Sequence, residues 1–222
     1  MPLQLSLATP VHLLVLIGGG EFSFGETREV DRMLLAKMPA DRRTIAFLPT
    51  ASGSAEYAVH LGKYFHELDP TVSVVNVPVY RGRDSRRQKN LDAIAGAGMV
   101  YLGGGVTNAL LETVRESATE IALRQAAAGG AVIAAIGAAA SCFGTHARDM
   151  RGSGALAGMG WLDRTIVETG FDPQNDLTLR RLMSLPEVEI GLGIPPKTAL
   201  AIDASGAVEI TGDGKIATFR KP

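Results

Sequence analysis

Two patterns of apolar and polar positions alternate along the first two thirds of the chain. Short, nearly unbroken apolar runs end in Gly, Pro or Ser, and each gives way to a longer stretch in which apolar residues recur at helical spacing. The first pattern belongs to strands buried on both faces and the second to amphipathic helices, so their alternation predicts parallel strands covered by helices. The runs place strands over residues 13–17, 44–48, 72–78, 99–102 and 132–136. Helices are expected over 26–37, 55–68, 88–94 and 107–127. Each strand leads into a turn, and the turns at 18–20, 49–53, 103–105 and 137–140 are expected along the carboxyl edge of one sheet. Open α/β folds bind their ligands there.

The last third changes pattern. Short β-type segments at 163–168, 188–193, 199–203, 207–211 and 215–219 are joined by tight turns such as Ala204-Ser205-Gly206 and Gly212-Asp213-Gly214, which predicts an antiparallel finish to the sheet. One helix over 174–185 interrupts them, opened by Asp172-Pro173 and closed by Pro186. No linker divides the chain, so residues 1–222 are read as a single α/β domain, a mostly parallel sheet with helices on both faces and a short antiparallel C-terminal extension.

Composition narrows the function. Against 22 basic side chains stand 23 acidic ones, for a formal net charge of -1, and so balanced a chain lacks the field that grips a polyanion. Nucleic acid is not an expected partner. The apolar run over 11–17 is too short to cross a bilayer, and residues 1–10 lack the basic start of a secretory signal, so a cytoplasmic protein without membrane attachment is expected. A single cysteine, Cys142, rules out a disulfide within the chain and suits a reducing compartment. No cofactor is implied, a homodimer is allowed for, and the four histidines are too scattered to suggest a metal site.

The segment over 131–144, Ala-Val-Ile-Ala-Ala-Ile-Gly-Ala-Ala-Ala-Ser-Cys-Phe-Gly, has the strand, glycine and small residues of a nucleophile elbow, with Ala139 at the reactive position. An ordinary strand-to-helix turn has the same composition. Around this segment the chain resembles the cyanophycinase and aspartyl dipeptidase (dipeptidase E) family of serine peptidases, whose fold is similar to that of class I glutamine amidotransferases. The resemblance is carried by Leu16-Ile-Gly-Gly-Gly-Glu21, by Leu48-Pro-Thr-Ala-Ser52 and by Val100-Tyr-Leu-Gly-Gly-Gly-Val-Thr-Asn-Ala-Leu-Leu111. Further on it is carried by Gly158-Met-Gly-Trp-Leu162, Ile166-Val-Glu-Thr-Gly-Phe171 and Gly191-Leu-Gly-Ile-Pro-Pro-Lys-Thr-Ala-Leu200.

The resemblance implies a serine, a histidine and an acid at positions filled here by Ala139, Gly170 and Pro196. Acyl transfer needs a nucleophile and a base in hydrogen-bond reach, so the family reaction is expected to be lost. Groups that act through the backbone survive such changes. By resemblance the N–H groups of Gly104, Gly105 and Ala140 form the oxyanion site, and with Thr107 at the following helix start they could hold a small acidic molecule or peptide. The glycines would equally serve a tight turn alone. A second reading moves the chemistry to Ser141 or Cys142 with His146 as base, because Cys142 and His146 share an i,i+4 spacing. Gly18-Gly-Gly20 suggests a nucleotide loop only faintly, since Ser23 stands where the last glycine is needed and no acid ends the second strand. The basic loop from Arg81 to Lys89 reads as a solvated surface.

Overall fold

A computed structural model describes residues 3–221. Its centre is a seven-stranded sheet. Five parallel strands, β1 (Leu13–Ile17), β2 (Thr44–Leu48), β3 (Ser73–Asn76), β4 (Met99–Leu102) and β5 (Val132–Ile136), lie with the C-terminal β10 (Thr198–Asp203) and β11 (Val208–Gly212) in the order β11-β10-β1-β5-β4-β2-β3. The α/β class and its mostly parallel sheet are as the pattern predicts.

Alternation of side chains across the strands builds two cores. Leu14 and Leu16 of β1 join Ala46, Leu48, Val100, Leu102 and Ile133 on one face, while Val15 and Ile17 join Ile45, Phe47, Met99, Tyr101 and Val132 on the other. The second face is covered by α1 (Arg28–Lys37) and α2 (Glu56–Leu68) through Leu34, Leu61 and Phe65. The first is covered by α3 (Gln88–Ala95), α4 (Thr107–Val114) and α5 (Ala118–Ala128) through Ile94, Leu110 and Leu123. Both faces of the central strands are dry, which is why their sequences read as unbroken apolar runs.

Three expectations need correction. The helix expected over 107–127 is two helices, broken at residues 115–117, where Glu116 takes φ 58°. Ser117 caps α5 by accepting from the Glu120 N–H at 3.3 Å, and the Glu120 carboxylate accepts from the Glu116 N–H at 2.7 Å. Ser117-Ala-Thr-Glu120 is thus a start signal inside an otherwise helical pattern. The helix expected over 174–185 shrinks to α7 (Leu177–Met183). The C-terminal strands do not all run antiparallel to their neighbours. β10 and β11 extend the main sheet antiparallel, but β8 (Thr165–Thr169) and β9 (Ile190–Ile194) pair in parallel and form a separate small sheet with β12 (Ala217–Arg220). This sheet and α7 bury their own cluster around Ile166, Phe171 and Leu182. The hairpin of β6 (His146–Arg148) and β7 (Ala155–Ala157) gave no clear sequence signal, being only three residues per strand and largely exposed.

Candidate functional site

The parallel register brings the ends of β1, β2, β4 and β5 to one edge. A cavity of about 240 Å³ opens there, with Gly19, Gly20, Gly103, Gly104 and Gly137 as its backbone lining. Phe47, Tyr57 and Ile136 supply apolar walls, and Ser52 lies at the edge. Its place is the one predicted from the turns. The loop after β1 is also where distant segments meet: Ile17 accepts from the Gly137 N–H at 2.9 Å, Gly18 from the Gly170 N–H at 2.7 Å and Gly19 from the Lys197 N–H at 2.8 Å. The three segments expected to carry a catalytic triad therefore do converge, held by backbone bonds to three consecutive carbonyls.

The elbow itself sits two residues earlier than expected. Gly137, directly after β5, has φ 58° and ψ -131°, a backbone region that costs a residue with a side chain about 1–3 kcal/mol and is used where strand must turn sharply into helix. A Cβ built on Gly137 has its nearest neighbour, Gly104 Cα, at 4.0 Å, so it would point into open space. Ala139 instead lies inside the short helix α6 (Ala138–Ser141) and is fully buried. The strained, outward-facing position is Gly137 and not Ala139. The signal was legible, because a nucleophile elbow places its central residue at the strand's end and the apolar run ends at Ile136.

Two of the four expected ligand-binding residues are committed elsewhere. The Ala140 N–H donates to the Gly137 carbonyl at 2.9 Å, and that residue is buried. The Thr107 N–H faces the Met150 sulfur at 3.5 Å, while its hydroxyl donates to the Arg148 carbonyl at 2.6 Å. The β6–β7 hairpin thus covers the start of α4 from outside the cavity. Gly105 supports the site from behind: with φ 148° it packs so closely on the second turn that a Cβ would lie 2.2 Å from the Ala51 carbonyl oxygen. Gly104 alone of the four lines the cavity. Its N–H and that of Ala138, the residue after the elbow, have no acceptor among the described residues. Ala138 was missed because the elbow was placed too late.

The alternative nucleophiles fare no better. Burial pushes the Cys142 thiol far up from its ordinary pKa, and the thiol donates to the Ala138 carbonyl at 3.2 Å inside the core. Ser141 shares a hydrogen bond with the Thr169 hydroxyl at 3.1 Å and has no histidine beside it. The helix that would have put Cys142 and His146 on one face ends at Ser141, and His146 belongs to β6, where its Nε2 lies 3.0 Å from a Glu187 carboxylate oxygen. The expected Cys142–His146 and Ser141–His146 pairs do not form. Among the described residues no group of His, Cys, Asp and Glu is arranged to hold a metal ion.

Two carboxyl groups outside the cavity lining are perturbed by burial. Asp31 on α1 has a carboxyl pKa raised to about 6, chiefly by desolvation, although the Thr27 and Tyr64 hydroxyls both donate to it at 2.7 Å. Desolvation also raises the Glu168 carboxyl, against the opposing charge of Arg148. Neither stands beside a serine and a histidine in hydrogen-bond reach.

Comparison with known proteins agrees with this fold. The model of peptidase family S51 matches residues 14–210. The uncharacterized peptidase YgaJ of Bacillus subtilis (strain 168) is 28% identical over 132 residues, a stretch that is 59% of this chain and 55% of that protein, so the match spans about half the length of the relative. Among solved structures, a peptidase from an acI-B1 Actinobacterium superposes with a TM-score of 0.79 at 22% identity, over 95% of this chain and 91% of the other. A candidate peptidase E of Listeria monocytogenes EGD-e superposes with a TM-score of 0.60 at 13% identity, over 96% of this chain and all of that one. At these identities the two structures speak for the fold. No helix among the described residues is long and apolar enough to cross a membrane.

Proposed function

Because the chain belongs to peptidase family S51, we propose that it is a catalytically silent member that keeps the family's cleft as a binding site for a small carboxylate or acidic peptide. One observation carries the loss of catalysis. Gly137, Gly170 and Pro196, on the three converging segments, offer no nucleophile, no base and no acid. Without these groups, residual rate acceleration rests on backbone donors and binding alone.

Support for retained binding comes from the N–H of Gly104, which lines a concave, partly apolar space, and from that of Ala138, which directly follows the lining residue Gly137; neither has a protein acceptor among the described residues. Such donors favour an anion, because they are fixed in place and poorly served by bulk water. The buried free thiol of Cys142 fits a reducing compartment, and the cytoplasm is the proposed location. Titration with aspartate followed by backbone amide NMR tests the site. Saturable shifts centred on Gly104, Gly137 and Ala138 are expected. Shifts absent from these residues at high millimolar aspartate, or centred elsewhere, contradict a retained anion site.

A further inference from the structure

Next to the glycine-lined cavity lies a larger one of about 430 Å³. Phe22, Tyr57 and Tyr64 form its aromatic wall, with Arg28, His60 and Lys63 around them. Tyr57 lines both spaces. Its ring is fixed from two sides, edge-on to Phe22 at 5.1 Å and stacked with Phe47 at 5.8 Å, so it stands between the cavities as a partition. The Tyr57 hydroxyl makes no hydrogen bond to the described residues, and burial with the charges of Glu21 and Asp31 pushes its pKa up to about 12. It is therefore a neutral phenol throughout the physiological range, free to turn its proton toward a ligand.

The charges of the larger space are unevenly committed. Glu21 is tied down, accepting from the Ser23 N–H at 3.2 Å and the Ser23 hydroxyl at 3.1 Å. Arg28 and Lys63 have no carboxylate within 4.0 Å among the described residues, and with Glu21 and Glu67 on the same lining the two cations face two carboxylates. An aromatic wall among balanced charges suits an apolar ring, while the anion of such a ligand is served by the backbone donors of the smaller space.

We propose that the two spaces are lobes of one cleft that takes a carboxylate bearing an aryl group, with Tyr57 as the residue that selects for the ring. The carboxylate sits in the small lobe against the Gly104 and Ala138 N–H groups. The aryl group passes Tyr57 into the larger lobe, where it packs on Phe22 and Tyr64. The inference rests on the anion site proposed above and adds the chemical class that fills the remainder of the cleft.

Acetate, 3-phenylpropionate and the uncharged 3-phenylpropanol separate the contributions when titrated into the whole protein with amide NMR as the readout. Binding of 3-phenylpropionate at least tenfold tighter than acetate is expected, with shifts at Gly104 and Ala138 and also at Phe22 and Lys63. 3-Phenylpropanol should bind at least tenfold more weakly than 3-phenylpropionate. Tyr57→Phe should keep the preference for the ring and Tyr57→Ala should lose most of it. Equal binding of acetate and 3-phenylpropionate, with shifts confined to Gly104 and Ala138, overturns the two-lobed cleft and leaves the anion site standing. Shifts from 3-phenylpropanol as strong as those from 3-phenylpropionate, centred on Phe22, overturn it as well, because the lobes then act apart. Failure of both carboxylates to move Gly104 or Ala138 overturns the anion site itself.

Discussion

Gly137 and Gly105 show how two glycines in one site answer different demands. At Gly137 only the backbone angle restricts the choice of residue, since a Cβ meets nothing closer than 4.0 Å. At Gly105 the angle and the space both exclude a side chain. Gly137→Ala should therefore cost about 1–2 kcal/mol of stability from strain alone, whereas Gly105→Ala should cost about 3 kcal/mol or more by forcing the second turn away from the first. Urea unfolding of the two variants measures the difference. Asp31 makes a second residue-scale case. Its carboxyl is raised from 3.8 to about 6 in the fold, so between those values the folded chain holds a proton that the unfolded chain has released. Stability must then fall as pH rises through that window, with the full penalty, about 3 kcal/mol at most, present above about pH 6. Asp31→Asn should flatten the pH dependence between 4 and 6 and raise the stability at pH 7. A variant that is less stable than the parent at pH 7 would show that the Thr27 and Tyr64 bonds to the charged carboxylate outweigh its desolvation.

Elements were legible wherever burial was two-sided, and less so where other physics took over. The strands β1, β2, β4 and β5 match their expected bounds because sheet burial on both faces leaves no polar position inside them. Residues 72–78 were read too long because β3 is an edge strand with half-exposed and exposed side chains, where chain direction changes are cheap. The break between α4 and α5 was hidden by continuous apolar periodicity on either side of Glu116, although Ser117 and Glu120 marked it. Arg124 makes that second start structural. It bonds Glu120 from within α5, donates to the Thr9 hydroxyl and to the Met159 carbonyl, and lies 5.1 Å over the Trp161 ring. Ser117→Ala should cost about 1 kcal/mol as a lost cap. Arg124→Met should cost more, about 2–4 kcal/mol, because it frees three segments and leaves the buried Glu120 without its cation. Thermal unfolding of both variants orders the two effects, and equal losses would contradict the role given to Arg124.

At the scale of the whole molecule, sequence pattern located the site's edge but misplaced the atoms within it. The turns after four strands were enough to point to the cleft, since a parallel sheet leaves them nowhere else to go. Which N–H groups face the cavity depends on the elbow's exact residue and on what the hairpin after α6 covers, and both are tertiary facts. Thus Gly104 lies on the cavity lining, Ala138 follows the lining residue Gly137 and carried no sequence signal of its own, and the Thr107 hydroxyl and the Ala140 N–H bond to other partners. The partition at Tyr57 was also unreadable, because a tyrosine on a helix near aromatic neighbours looks like core until the two spaces beside it are seen.

The central claim is that a peptidase-family scaffold persists here without its reaction. Hydrolysis of aspartyl dipeptides by the purified chain, beside an S51 peptidase with an intact triad under the same conditions, tests it most directly. The account predicts a turnover at least about a thousandfold below that relative, as expected when both nucleophile and base are absent. A rate within about tenfold of the intact enzyme, abolished by substitution of a residue in the cleft, would contradict it.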